Sequence, residues 1–398
     1  LADFLQGGNM LQDFRAEVRQ WLDANCPTSM RTPIVEDEEV WGGRQETFKN
    51  PDSKVWLERM AAKGWTAPEW PKAYGGGGLS PQEALILKEE MQKLGCRPPL
   101  LSFGIWMLGP VLLQYGTEEQ KKRYLPSITR GETRWCQGYS EPAAGSDLAS
   151  LQTRAEPVGD QFVINGSKVW TSYADASDWI FCLVRTDFNV SKQQGISFML
   201  IDMNQPGVKA EPIRLISGAS PFCEVFFSDA KTSKDNLIGP LNGGWQIAKA
   251  LLTHERQAIS EINKKASELP LEVIAKQKLP TQNGRLADEH FRQRLAAWHI
   301  DNTAFEWTLE REMSLQKAGH SPGPASSMFK LYGTELNKRK YELMMEAHGF
   351  QSLVWEGSGD EKDQQATRDW LRSKGNSIEG GTSEIQLNVI AKRVLGLP

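Results

Sequence analysis

Leu11, Phe14, Val18, Trp21 and Leu22 recur at three- and four-residue spacing and lay one apolar stripe along a helix. Helical spacing holds to about Gly131. It is broken by the Pro- and Gly-rich loop Ala67–Gly78, resumes at Pro81, and continues through Ile105, Leu108 and Leu112. Another helix opens at Thr117 with Gln120 three residues on, a capping box. From about Trp135 to Pro240 the period falls to two. Gln161–Ile164, the Asn165-Gly166 pair and Ser167–Trp170 read as strand, tight turn and returning strand. Further strands are expected at Trp179–Val184, Ile196–Asp202 and Glu224–Phe227. No helix-length segment separates them, which opposes βαβ crossovers and favours an antiparallel sandwich or barrel. After Gly243-Gly244 helical spacing returns, with helices expected at 245–265, 286–318, 325–348 and 384–395. The last is opened by a Ser383/Gln386 capping box and stopped at Gly396. The fold class this predicts is α+β, with helices, then strands, then helices, dividing near 1–131, 132–240 and 241–398.

Composition narrows the functional classes. The 398 residues suit two or three domains at ~150 residues each. Lys and Arg total 46 against 50 Asp and Glu, a net charge of -4, so no global field collects nucleic acid or anionic lipid. The longest mainly apolar run, Gly104 to Leu113, is well short of the ~20 residues that span a bilayer. No secretory pattern is evident, and LADFLQGGN before Met10 reads as a leader or ragged start. The five cysteines are scattered and form no zinc-like cluster with the five histidines, so no metal site and a reducing cytoplasm are expected.

The common cofactor motifs are missing: Gly75–Gly78 lacks the last Gly of GxGxxG and reads as a turn, and no GxxxxGK[ST], HExxH or GxSxG occurs. Three stretches carry chemistry instead. Glu255 falls on the apolar stripe of Ala248, Leu251, Leu252, Ile259 and Ile262. A carboxylate there is costly to ionise, and its raised pKa suits a general base; a buried ion pair is the alternative. Ser377–Gln386 sets two glycines before a helix N-terminus, where backbone can approach a flat ligand, or where a loop simply enters a helix. Trp135–Asp147 and Lys168–Ser172 gather hydroxyl residues, exposed backbone and an aromatic, which suit a planar heterocycle or plain turn chemistry.

Together and in order these stretches resemble the acyl-CoA dehydrogenase family. Its TEPGAGSD signature stands here as Ser140–Asp147, NGxKxWIT as Asn165–Ser172, and YEGTSQIQ as Glu379–Gln386. The likeness runs over nearly the whole chain from Met10. It is greatest to the bacterial pimeloyl-CoA dehydrogenase large-subunit type, through WCQG-x-SEP and Pro324-Ala-Ser-Ser327. The resemblance implies a helical N-terminal domain, a middle antiparallel β-barrel and a C-terminal four-helix bundle, with FAD between barrel and bundle. By motif position Tyr139 and Ser140, with Gln137 close by, meet the flavin's pyrimidine edge. Trp170 flanks the ring, and Thr171 and Ser172 reach toward N5. Gly380, Thr382 and Glu384 line the cofactor from the other side, and Ser146 lies near the acyl-CoA thioester.

The implied reaction is α,β-desaturation: a carboxylate takes the α-proton, hydride leaves Cβ for flavin N5, and a ribityl hydroxyl and a backbone N–H steady the enolate. Many relatives place the base in YEGT, but that position is Gly380 here, with Glu379 one residue earlier. Another branch places it in a Glu-Arg pair on a bundle helix, which Thr253-His-Glu-Arg256 matches. The resemblance and the periodicity thus converge on Glu255 as base, with Arg256 tuning or orienting the site. The Arg that precedes the family's FG pair is missing from Leu279–Gly284, where Arg285 is the candidate to substitute for it. A homodimer or homotetramer is implied, with electron-transfer flavoprotein as electron acceptor. The alternatives are a flavin oxidase or monooxygenase on the same fold, or one subunit of a mixed acyl-CoA dehydrogenase.

Overall fold

The computed structural model describes residues 2–34, 36–261, 269–317, 326–356 and 361–398. Side chains are described for the same residues except 2–9, 36, 253–261, 313, 316, 317, 326 and 361–363. The chain divides into two compact units, Leu1–Pro212 with Phe222–Leu251, and Ile213–Pro221 with Leu252–Pro398.

The first unit begins with five helices: α1 Ala2–Asn25, α2 Pro51–Ala62, α3 Pro81–Leu94, α4 Gly109–Tyr115 and α5 Glu118–Thr129. The stripe read from the sequence is inside, with Val18 and Leu22 packed among Met30, Trp56, Met60 and Leu87. Thr117 caps α5 through the expected box with Gln120. Ser80 caps α3 through a second box with Glu83. Ahead of α4, Gly104–Leu108 forms a π turn. Glu90 of α3 is carried inside: it accepts from Arg15, Arg19 and Lys93, and its carboxyl is held down at about 2, chiefly by the Arg19 hydrogen bond.

Eight strands follow: β1 Trp135–Gly138, β2 Arg154–Val158, β3 Gln161–Ser172, β4 Trp179–Arg185, β5 Ile196–Asp202, β6 Val208–Ile213, β7 Phe222–Ser233 and β8 Leu237–Ile238. They pair in the order β6-β7-β3-β2-β4-β5-β8, with β1 beside β4. The sheet is mixed rather than purely antiparallel, because β1 runs parallel to β4, as does the start of β2 at Arg154. The long connection from β1 to β4, which holds the β2–β3 hairpin, lets the chain return in the same direction without a helix.

A second correction concerns Asn165-Gly166, which makes no turn. β3 continues through it with a register shift against β7 between Ile164 and Gly166, and the β2–β3 reversal falls at Gly159-Asp160. Asn165 instead reaches across to β7, accepting from the Asp229 backbone N–H (2.9 Å). A Cβ on Gly166 would stand 2.7 Å from Thr153 Cα, so glycine permits the close approach of neighbouring backbone there. The sheet core is Phe162, Ile164, Ile180, Cys182, Val184, Met199, Ile201, Val225 and their neighbours.

Helix α6 spans Gly244–Glu261 and opens with buried Ile247, Ala248 and Leu251; Leu252 is half-buried, and the side chains of Ile259 and Ile262, the rest of the expected stripe, lie outside the described residues. Beyond it lie α7 Leu271–Lys278, a small hairpin of β9 Thr281–Gln282 and β10 Arg285–Leu286, α8 Glu289–Lys317, α9 Ser326–His348, α10 Glu361–Ser373 and α11 Ser383–Val389. Leu271, Phe291, Trp298, Phe305, Leu336 and Met344 form the core of the second unit. Helices α7 and α10 are additions to the sequence reading. The final helix also differs: Thr382, not Ser383, is its cap, accepting from the Ile385 N–H, and Ile390–Val394 continues as a π turn. Among the described residues no helix is long and apolar enough to cross a membrane, and no group of three potential metal ligands occurs.

Candidate active site

Two charged residues inside the two barrel motifs tie them together. Lys168 lies at 0% exposure, and its Nζ donates to Glu141 Oε1 (2.7 Å) and to the Tyr139 carbonyl (3.2 Å). Glu141 also accepts from the backbone N–H groups of Gln152 (2.6 Å) and Thr153 (2.9 Å). Burial opposes ionisation of Glu141, but the charge and hydrogen bond of Lys168 and these N–H groups more than offset it, so its carboxyl stays below the usual range. Val169 N–H donates to Ser140 O (2.9 Å), so Ser140 and the end of β3 stand side by side. Tyr139 turns its ring inward, edge-on to Phe181 and Phe198. Gln137 and Ser140 are half-buried, whereas Ser146 is exposed on the loop.

The β3–β7 register slips between Lys168 and Thr171. In that bulge Trp170 adopts φ 60° and presents its ring outward at 55% exposure, edge-on to Phe222. A left-handed Trp costs about 1–2 kcal/mol. Bulges of this kind re-aim side chains beside functional sites. Next to it Thr171 is fully buried opposite Cys223, and among the described residues its Oγ1 has no hydrogen-bond partner. Ser172 is half-buried at the strand end.

In the second unit Gly380 (φ 63°) and Gly381 (φ 92°) turn the chain into α11. Their carbonyls are held from inside: Gln386 Nε2 donates to Gly380 O (3.0 Å), and the buried Lys330 Nζ donates to Gly381 O (2.7 Å). Burial lowers the Lys330 pKa. The amide of Gln386 thus braces the glycine loop rather than completing a capping box. Glu384 stands exposed in the first turn of α11, its carboxyl lowered by its own backbone N–H and by Thr382. Glu379 is engaged at both oxygens, by Arg372 (2.7 Å) and Asn376 (2.5 Å). The side chains of Glu255 and Arg256 lie outside the described residues; their backbone belongs to α6.

Ser140 and Trp170–Ser172 are therefore brought together, while Tyr139 faces the core. The residues missed from the sequence are Glu141, Lys168 and Lys330, the buried charges that brace the motif loops. A signal for one was present. Lys168 sits on the same strand parity as Phe162 and Ile164, and a lysine on an inward parity requires an internal anion.

The family models for the N-terminal, middle and C-terminal domains of acyl-CoA dehydrogenase match residues 10–132, 136–230 and 242–395. The chain is 37% identical over 398 residues to acyl-CoA dehydrogenase IpdE1 of Mycobacterium tuberculosis, covering 98% of both chains. It is 36% identical to IpdE1 of Mycolicibacterium smegmatis, again over 98% of both. Among solved structures, the Tcur3481-Tcur3483 steroid ACAD matches at TM-score 0.77 and 30% identity over 98% of each chain. The ChsE4-ChsE5 complex from Mycobacterium tuberculosis matches at TM-score 0.74 and 28% identity, also over 98% of each. Motifs, architecture and full-length likeness agree: the chain belongs to the acyl-CoA dehydrogenase family and is an oxidoreductase.

Proposed function

We propose that the chain is an FAD-dependent dehydrogenase that desaturates an acyl-CoA thioester between Cα and Cβ. The family is generally flavin-dependent. The observation that carries the reading here is the bulge at 168–171. It offers a flat indole face next to a buried hydroxyl that has no partner among the described residues, a combination suited to a planar heterocycle rich in hydrogen-bonding edges. FAD, when bound, supplies the hydride acceptor at N5.

The chain's own residues do the rest. Gln137, the Tyr139 segment and Ser140 hold the pyrimidine edge, Trp170 flanks the ring, and Thr171 and Ser172 serve the N5 side. Gly380, Thr382 and Glu384 form the second set of cofactor residues, and Ser146 attends the thioester. Glu255 takes the α-proton, with Arg256 orienting it. Glu379 has both carboxylate oxygens committed to Arg372 and Asn376, which leaves Glu255 as the better base. Electron-transfer flavoprotein takes the electrons onward.

Glu255→Gln is expected to abolish anaerobic flavin bleaching by substrate while FAD stays bound. Full turnover in that variant overturns the assignment. A second reading is supported by the two-chain names of the Tcur3481-Tcur3483 and ChsE4-ChsE5 neighbours: this chain is one subunit of a mixed complex. It predicts less than one FAD per chain when the protein is purified alone, and full loading with its partner.

A further inference from the structure

Two thiols meet where two helices end together. Arg15 and Arg19 of α1 bond Glu90 of α3, and further along both chains the Arg97 N–H donates to Met30 O (2.8 Å). The two helices therefore run in the same direction and finish at one level. Cys26 follows Asn25, the last residue of α1, and Cys96 lies just past Leu94, the last residue of α3. Both pack in the cluster of Val18, Leu22 and Leu87. The Cys96 thiol hydrogen-bonds the Cys26 sulfur, and neither cysteine is bridged.

The backbone on each side is held in place. Gly95 takes φ 73°, its N–H donates to Gln92 O (3.1 Å) and the Cys96 N–H donates to Met91 O (2.8 Å), the paired bonds of a closed helix end. Opposite, the Cys26 N–H donates to Leu22 O (2.8 Å), and Arg31 donates to Cys26 O through Nε (3.1 Å) and Nη2 (3.0 Å). The thiols thus meet at rest, without rearrangement of either helix.

Their surroundings set them apart from the other cysteines. Burial pushes the Cys136, Cys182 and Cys223 thiols up, the last to about 11, and such thiols are inert. Of the five, Cys26 alone is shifted down: the Cys96 thiol steadies its anion, and the charges of Arg31 and Arg59 add to this against its burial. Cys96 is shifted up in turn, as donor of that hydrogen bond. Cys26 is buried but Cys96 is only half-buried, so the pair opens to solvent on the Cys96 side.

We infer that Cys26 and Cys96 form a redox modification site, an intramolecular disulfide made by hydrogen peroxide and reopened by dithiol reductants, which clasps the ends of α1 and α3. The Cys26 thiolate attacks one peroxide oxygen, the O–O bond breaks, and the departing hydroxide takes up a proton as water. The Cys96 sulfur then attacks the Cys26 sulfenic acid. The S–S bond forms, the S–O bond breaks, and a second water leaves with the Cys96 proton. Two thiols lose two electrons, and one peroxide becomes two waters.

The test takes the full-length protein, reduced and then exposed to hydrogen peroxide, with the remaining thiols alkylated before peptide mapping by mass spectrometry. A linked Cys26–Cys96 peptide is expected, lost again on treatment with dithiothreitol. Closing a loop of about 70 residues should raise the calorimetric Tm by at least about 3 °C and by up to about 9 °C. Cys26→Ser and Cys96→Ser should each abolish the linked peptide and the shift, and Cys96→Ser should leave Cys26 as a sulfenic acid that dimedone traps. Should a serine variant not fold, the wild-type map and its reversal by dithiothreitol decide alone. Five alkylated thiols after peroxide, linkage through any other cysteine, Cys26 carried on to sulfinic acid, a Tm shift under about 3 °C, or a shift that survives Cys96→Ser overturns the inference. None of these readouts depends on flavin bleaching, so they stand apart from the dehydrogenase reading.

Discussion

Replacing Lys168 by Met tests the bracing of the barrel motifs. The substitution keeps the length of the side chain but removes the cation from a fully buried ion pair, stranding Glu141 at 8% exposure. Breaking a buried pair costs about 3–5 kcal/mol. Glu141 keeps its two backbone N–H donors, so the lower end, about 3 kcal/mol, is expected. An unfolding entropy of roughly 2.1 cal/mol/K per residue, over the ~240 residues of the first unit, gives about 0.5 kcal/mol per degree. The calorimetric Tm should therefore fall by about 6 °C. Adding Glu141→Gln should cost less than the sum of the single changes by more than about 1.5 kcal/mol, because the stranded charge is gone. FAD affinity should fall in step, since the Tyr139 carbonyl loses its tether. A Tm within 1 °C of wild type, or singles that add to within about 0.5 kcal/mol, would refute this account.

Trp170→Gly removes a strained, outward-facing ring, so apoprotein stability should change by less than about 1 kcal/mol while FAD binds at least tenfold weaker. A loss of about 3–5 kcal/mol would mark Trp170 as core instead. Glu379→Gln should keep flavin bleaching and cost no more than about 1 kcal/mol by thermal unfolding, because its ion pair with Arg372 is a third exposed; loss of bleaching would reassign the base. For Glu90, the folded pKa near 2 lies below its ordinary 4.5, so its contribution is complete above pH 4.5 and is lost as pH falls toward 2. The full shift corresponds to about 3 kcal/mol. The exposed Arg19 and Lys93 ends reduce this to about 1–2 kcal/mol. Glu90→Gln should flatten acid unfolding curves over that window, and an unchanged curve would contradict the assignment.

Local order was legible from the chain alone. Periods of three to four and of two separate the helical stretches from the strands, because each reports which side chains share a face within a few residues. The Thr117–Gln120 box and strand Ile196–Asp202 are local in the same sense, as are the three family motifs. What lay beyond them depends on partners far away in sequence. Asn-Gly turns the chain at Asn283-Gly284 yet runs on as strand at Asn165-Gly166, since there β7, some sixty residues later, accepts the strand and holds Asn165. The parallel pairing of β1 with β4, the junction of Lys168 with Glu141, and the left-handed Trp170 are equally remote in origin. Register and the pairing of buried charges are decided only when distant segments compete for the same interior, and a dipeptide holds no record of that contest.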